Sequence, residues 1–287
     1  MIETQIAPMP NAHAPAPHSH HPERGAPIGV LLRAWRQRRG RSQLDLSLDA
    51  AVSQRHLSFV ESGRAAPSRE LILRLAEHLA VPLRDRNALM LAAGFAPSYA
   101  TRGLDDPAMA PARAALELIL RAHLPHPALA VDRHWQLLAA NAAVPPLIAD
   151  VAEPALLVAP INVMRLALHP GGLAPRIANL AEWRAHLLER LRRQVEATAD
   201  PALAALLAEL AALEGPAPPS RATHPPGGIL VPLCLDTPAG RLMLISTTTV
   251  FGTAGEVTLS ELTIETFFPA DADSAARLRR LCGDATA

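Results

Sequence analysis

The chain has 287 residues, 49% of them apolar and 19% charged, with 27 basic and 27 acidic side chains. That length accommodates two domains with a core in each, and the apolar content excludes a disordered polypeptide. Two cysteines, Cys234 and Cys282, are too few for a disulfide framework or a structural zinc site and suit a reducing cytoplasm.

No uncharged apolar run of about 18 residues suggests a membrane span, and no basic segment followed by an apolar one suggests a secretory signal. The zero net charge is unevenly spread. Between Arg24 and Leu79 there are ten Arg against five Asp and Glu, a local excess of five. A basic N-terminal part on a slightly acidic body is the electrostatic footprint of a modular DNA binder. Every cation is Arg, which with the heavy Ala usage reads as codon bias and carries no functional message.

Residues 1–26 are rich in Pro, Ala and His without apolar periodicity, the composition of a disordered tail. Clustered imidazoles at His13, His18, His20 and His21 are able to catch a metal, but a solvated low-complexity tail is the simpler reading, and no metal site is assigned.

Residues 27–99 read as five short helices. In IGVLLRAWRQRRGRS, Val30, Leu31, Ala34 and Trp35 fall at helical spacing, Gly40 is a natural stop, and Arg36, Arg38, Arg39 and Arg41 make the exit basic. Ser42 is a good N-cap for a helix beginning at Gln43, and Ser53 for one beginning at Gln54. On this third helix Gln54, Arg55 and Ser58 share one sector, while Leu57 and Val60 point to another. A recognition helix needs this division. Apolar anchors seat it, Gln pairs with an adenine edge and Arg with a guanine edge, and Ser and backbone N–H groups at the helix start hold phosphates. The alternative is an amphipathic hairpin whose Gln and Arg are merely solvated. Ser68 caps a fourth helix with Leu71, Leu75 and Leu79 as its stripe, and Pro82 opens a fifth that ends near Gly94.

Residues 100–110 form a linker, and 111–284 a second domain. A helix over 111–124 carries Leu116, Ile119 and Leu120. PALAVDRHWQLLAANAAVPPLI then reads as strand, turn at Asp132 and Arg133, strand, and a short helix capped by Asn141, which is how a PAS-type domain begins. A helical insert follows: INVMRLALHPGGLAPRI, ended by His169, Pro170 and Gly171, then residues 182–197 and 201–213. After a Pro-rich loop, three strands are expected in GGILVPLCLDTP, GRLMLISTTTVFG and EVTLSELTIETFFP, with turns at 237–240 and 253–256. The last does not alternate strictly, which suggests a bulge near Ser260 and Glu261. A helix over 271–282 ends the chain. The fold class is therefore a mainly α, five-helix repressor-like helix-turn-helix domain followed by an α+β PAS-like domain with a helical insert.

The string RHLSFVESGRAAPSRELILRLAEHLAVPLRDRNALMLAAGFAPSY makes residues 28–99 resemble the xenobiotic-response-element family of helix-turn-helix regulators, in the subgroup with a C-terminal MmyB-like ligand-binding domain. Residues 127–270 resemble that second domain through RHWQLLAAN, NVMRLALHPGGLAPRIANLAEWRAHLLERL and TTTVFGTAGEVTLSELTIETFFPADA. The resemblance implies that Gln43 faces a phosphate and supports Gln54. It also implies that Gln54, Arg55 and Ser58 face base edges, and that Arg64 with Ser68 meets the backbone beyond the recognition helix. One departure is Ala51 at a turn position often occupied by Gly, at a cost of about 1 kcal/mol if the backbone there is left-handed. The implied partners are an operator duplex, a small apolar or acyl effector, and a second copy of the chain, with no membrane.

Candidate ligand-binding residues are Trp135, Asn141, Arg165, His169, Arg176 and Trp183. The two Trp are either pocket walls or core fillers. Arg165 and Arg176 either grip a carboxylate or pair with an acid such as Glu153 or Glu182. His169 suits a helix C-terminal cap better than ligand contact. No nucleophile with its base, GxSxG, HExxH, phosphate-cradling loop or CxxC appears, so no catalytic residue or cofactor is assigned. Three functions compete: a ligand-responsive transcription regulator, a DNA-binding regulator whose second domain serves only dimerisation or protein partners, and, ranked last, an enzyme using the pocket.

Overall fold

The computed structural model describes residues 26–214, 231–252 and 254–282. The expected histidine-rich tail, the Pro-rich loop, the first four residues of the strand expected in GGILVPLCLDTP, and Thr253 of the second expected turn lie outside the described residues.

The N-terminal part is a bundle of α1 (Ile28–Arg38), α2 (Gln43–Asp49), α3 (Gln54–Glu61), α4 (Arg69–His78) and α5 (Leu83–Ala92). Ser42, Ser53 and Ser68 cap α2, α3 and α4, their hydroxyls accepting from the N–H groups of Asp45 (3.0 Å), His56 (3.2 Å) and Leu71 (3.2 Å). Ser42 and Asp45 complete a capping box. Each cap satisfies a backbone donor that would otherwise be orphaned. Leu32, Leu46, Leu57, Val60, Ile72, Leu75 and Met90 fill the core between them. Ala51 makes the tight turn before α3 with φ 49°, the left-handed conformation that a side chain disfavours.

The inward face of α1 differs from the expected stripe. Val30 is 49% exposed and Ala34 is exposed, whereas Gly29, Leu32, Trp35 and Arg36 are buried. The helix is turned by a close approach and an ion pair. A Cβ on Gly29 would lie 2.3 Å from the Val60 carbonyl oxygen, so α1 sits backbone to backbone on α3. Arg36, read from sequence as part of a solvated basic exit, turns inward.

The second domain begins with α6 (Ala110–Ala122). A five-stranded antiparallel sheet has the order β2-β1-β5-β4-β3, built from β1 (Ala128–Val131), β2 (Leu137–Ala140), β3 (Leu233–Thr237), β4 (Gly240–Val250) and β5 (Thr263–Pro269). Between β2 and β3 runs the helical insert: α7 (Pro145–Ile148), α8 (Val163–Leu168), α9 (Leu180–Thr198) and α10 (Pro201–Ala212). It lies over one sheet face and shares a core with it, including Leu187, Leu191, Leu235 and Leu244. α12 (Ala272–Cys282) ends the described chain.

The expected bulge near Ser260 and Glu261 is instead a short helix, α11 (Val257–Glu261). Glu256 caps it by accepting from the Leu259 N–H at 2.9 Å, and the Ser260 hydroxyl donates to the Val257 carbonyl at 2.7 Å. The broken alternation of Val257, Leu259 and Leu262 marks this turn of helix before β5 resumes. α11 also docks the N-terminal bundle. Arg84 of α5 meets Glu261 through two 2.8 Å hydrogen bonds, and the Val257 N–H donates to the Ala100 carbonyl at 2.9 Å.

Candidate DNA interface and ligand cavity

The candidate recognition face lies on α3. Gln54 and Arg55 are exposed and Ser58 is half-buried, while Leu57 and Val60 are buried beneath them. Ser53 and Ser68 are exposed at the N-termini of α3 and α4, where unpaired N–H groups and the helix dipole favour phosphate. The Phe59 ring organises two cations: the Arg64 guanidinium stands 4.4 Å and that of Arg55 5.3 Å from its centroid. Arg64 Nε also donates to the Ser62 hydroxyl at 3.0 Å. An aromatic face of this kind holds long side chains in place and leaves their donors outward.

Beneath this face lies a cluster that sequence reasoning missed. Glu61, the last residue of α3, has a fully buried carboxylate. Arg36 grips it through Nε at 2.6 Å and Nη2 at 2.8 Å, Gln43 donates at 2.8 Å, and Arg33 approaches at 3.4 Å. Burial alone would push this carboxyl up; the donors of Arg36, Gln43 and Arg33 outweigh it and hold the acid below its ordinary value. The Gln43 amide is thus spent on Glu61 at the end of α3. The signal was present only as a lone acid at the end of an apolar helical stripe.

In the second domain, sheet and insert border a partly open cavity of about 130 Å³. Trp135 and Trp183 both line it, with Leu129, Leu187, Leu244 and Phe267 among the apolar walls. The Trp135 indole N–H donates to Gln194 at 2.8 Å, and Trp183 stacks on His186 at 5.4 Å. Burial first, then Arg190 and Arg193, lower the His186 pKa. Trp135 holds φ 66°, a strained conformation that persists only where surrounding contacts enforce it. Here Asp132 Oδ1 accepts from the N–H groups of His134 (2.8 Å) and Gln136 (2.9 Å), and Gln194 donates to the Arg133 carbonyl at 3.0 Å.

The other candidates lie away from the cavity wall. Asn141 is a buried tie, accepting from the Ala128 and Ala143 N–H groups and donating to the Leu120 and His126 carbonyls. Arg165 pairs with Glu209 at 2.6 Å and 2.8 Å, so the ion-pair alternative applies, with a different acid. Arg176 donates to the carbonyls of Asp236 and Leu147. His169 follows α8; its Nδ1 accepts the Gly171 N–H at 3.0 Å and lies 3.4 Å from Glu153. The cavity's charged groups are instead Arg190 and Glu265. Arg190 Nη1 donates to Glu265 at 3.0 Å, Nη2 reaches both Glu265 and Thr248, and the guanidinium lies 4.5 Å from the Trp135 ring centroid. A single acid inside the apolar run of β5 was the legible hint.

An ionic chain joins the cavity wall to the recognition bundle. Arg133 lies 3.4 Å from Asp200 and 3.9 Å from Glu261, His134 lies 2.9 Å from Asp200, and Glu261 is the partner of Arg84 on α5. Burial would raise the Asp200 carboxyl, but His134, Arg133 and the Ala202 N–H hold it well below the carboxylate range. Among the described residues no group of three His, Cys, Asp or Glu is placed to hold a metal, and no helix is long and apolar enough to cross a membrane.

An exposed, serine-capped recognition helix followed by a domain built around an apolar cavity defines a DNA-binding transcriptional regulator with a ligand-binding domain. Residues 32–85 match the helix-turn-helix family, and residues 112–281 match the MmyB-like transcription regulator ligand binding domain. The second match spans more than half of the chain, which therefore belongs to the MmyB-like transcription regulators. No curated protein matches the sequence.

Proposed function

We propose that the protein is a ligand-responsive transcription regulator. It binds a two-fold symmetric operator as a homodimer, with recognition helices in successive major grooves about 34 Å apart. An apolar effector held between sheet and insert changes the pose of the α1–α5 bundle and so the affinity for operator. In this reading Gln54, Arg55 and Ser58 read base edges, and Ser53, Arg64 and Ser68 hold phosphates. Gln43 acts from beneath, by fixing Glu61.

The observation that carries the reading is the continuity between cavity and bundle. Trp135 of the cavity wall directly follows Arg133 and His134, and Glu265, also in the wall, lies four residues after Glu261. Those neighbours hold Asp200 and Arg84. Anything that moves the strained Trp135 turn acts on the ion pairs that dock α5. An effector works only through differential affinity for two poses, and contiguous packed groups with two arrangements are the physical carrier of such coupling.

The test uses the compound that denaturing extraction releases from the purified protein, identified by mass spectrometry. Its addition to ligand-free protein is expected to change operator affinity by about 5-fold or more. The change should vanish in Leu187→Trp, which fills the cavity. Operator affinity that ignores the compound leaves the second domain as an assembly unit and overturns the effector reading.

A further inference from the structure

The cavity lining is apolar apart from Arg190, Glu265 and Ser246; Ser246 on β4 pairs with Phe267, two residues along β5 from Glu265, and so shares the sheet face of Glu265. The charges there are already balanced. Both oxygens of Glu265 accept from the two terminal nitrogens of Arg190, and Glu265 accepts again from the Thr248 hydroxyl at 3.2 Å. The Glu265 side chain is 6% exposed and that of Arg190 27%. Arg190 is further pinned over the Trp135 ring.

A ligand carboxylate would have to take Arg190 away from Glu265, leaving a buried carboxylate without its counter-charge. A ligand ammonium would have to take Glu265 and strand Arg190. Both exchanges give up a tethered, two-point pair for an untethered one, and a buried charge that loses its partner is strongly unfavourable. A hydroxyl, carbonyl or amide asks for neither exchange. It donates to or accepts from the Ser246 hydroxyl, or shares a Glu265 lone pair, while the ion pair stays closed.

We infer that the cavity selects an uncharged amphiphile: an apolar body with one un-ionised hydrogen-bonding end, set at the corner formed by Arg190, Glu265 and Ser246. This rests on the reading of the cavity as the effector site. It assigns Arg190 and Glu265 as specificity-determining residues that act by exclusion, because the closed pair rejects free acids and amines that share the same apolar body.

Calorimetric titration of the full-length protein with decanol, decanoate and decylamine near neutral pH tests it, since the three share one tail and differ only in the charge of the end group. Decanol is expected to bind at least about tenfold tighter than either ion. In Glu265→Gln, where Arg190 is freed, decanoate is expected to gain at least about tenfold relative to decanol. The double variant Arg190→Gln with Glu265→Gln strands no charge and removes the closed pair, so the advantage of decanol over decanoate and decylamine is expected to narrow by at least about threefold, and the inference stays testable if the single variant does not fold. Decanoate or decylamine equalling decanol on the native protein, or a decanol advantage on the double variant equal to that of the native protein, overturns the inference while leaving the cavity as a ligand site. Binding of none of the three overturns the effector reading itself.

Discussion

Replacing Glu61 by Ala is expected to unseat the recognition helix while deleting only a short side chain that never touches DNA. The carboxylate is fully buried, and the Arg36 side chain is 11% exposed. Without Glu61, Arg36 keeps its hydrogen bond to the Arg41 carbonyl at 2.8 Å but is a nearly buried cation without a counter-ion. Breaking such a pair from one side costs about 3–5 kcal/mol, a large fraction of the roughly 5–15 kcal/mol that holds a domain folded. At about 4–8 °C per kcal/mol for a domain of this size, the melting of the α1–α5 bundle should fall by roughly 12–40 °C. Differential scanning calorimetry reads the shift, and amide exchange localises it to α1 and α3. Replacing the pair together, Arg36→Met with Glu61→Leu, should recover most of the loss, because a packed apolar pair strands no charge. The pH dependence follows from the lowered Glu61 carboxyl. A folded-state pKa below the unfolded value of about 4.3 contributes stability that is complete above that value and lost as pH falls through the folded one. The native bundle should therefore weaken on acidification below about pH 4, and Glu61→Gln should lack that component. A Glu61→Ala protein within about 1 kcal/mol of the native one at neutral pH would refute the cluster's role.

Gly29→Ala should be as damaging as a core mutation, because its Cβ would lie 2.3 Å from the Val60 carbonyl oxygen and 2.7 Å from that of Glu61; unchanged calorimetric melting would show that α1 and α3 are not in backbone contact. Ala51→Gly should stabilise the bundle by about 0.5–1 kcal/mol, the relief of left-handed strain less the extra entropy of an unfolded glycine, and chemical denaturation showing a loss instead would contradict the turn geometry. Arg84→Ala removes the α5 contact to Glu261 while leaving α3 intact; operator affinity of the ligand-free protein should stay within about threefold, while the effector response shrinks by at least about half. A full response in that variant would place the coupling elsewhere.

The features legible in the sequence were local. Ser42, Ser53 and Ser68 announce the starts of α2, α3 and α4 because a cap acts on N–H groups three residues away. Gln54 and Arg55 announce an outward face because Leu57 and Val60 fix the inward one. Ala51 was recognisable as an uneasy turn residue because left-handed backbone taxes any side chain there. The features that stayed hidden join residues far apart in the chain. Arg36 and Glu61 are 25 positions apart and Arg190 and Glu265 are 75; periodicity cannot distinguish a solvated arginine from one that a distant carboxylate draws inward. For that reason Arg165 and Arg176 looked as suited to a pocket as Arg190, although Glu209 and backbone carbonyls occupy them. Trp135 and Trp183 stood out because large aromatics are scarce in this chain, and they are the two ligand-binding candidates that reach the cavity. The α11 segment misled because a single helical turn before β5 resembles a bulged strand when only apolar spacing is read.

The most direct test starts from duplexes selected by the full-length protein out of a random pool at moderate salt. Anisotropy titrations of the native protein, Arg55→Ala and Arg64→Ala against those duplexes then separate base reading from phosphate holding. The pool should converge on two half-sites about 34 Å apart. Arg55→Ala should relax preference at one base pair by about 1–3 kcal/mol, whereas Arg64→Ala should weaken every sequence alike and reduce the salt slope by about one. A folded protein that enriches no sequence, or two variants that behave identically, would contradict α3 as the reading head.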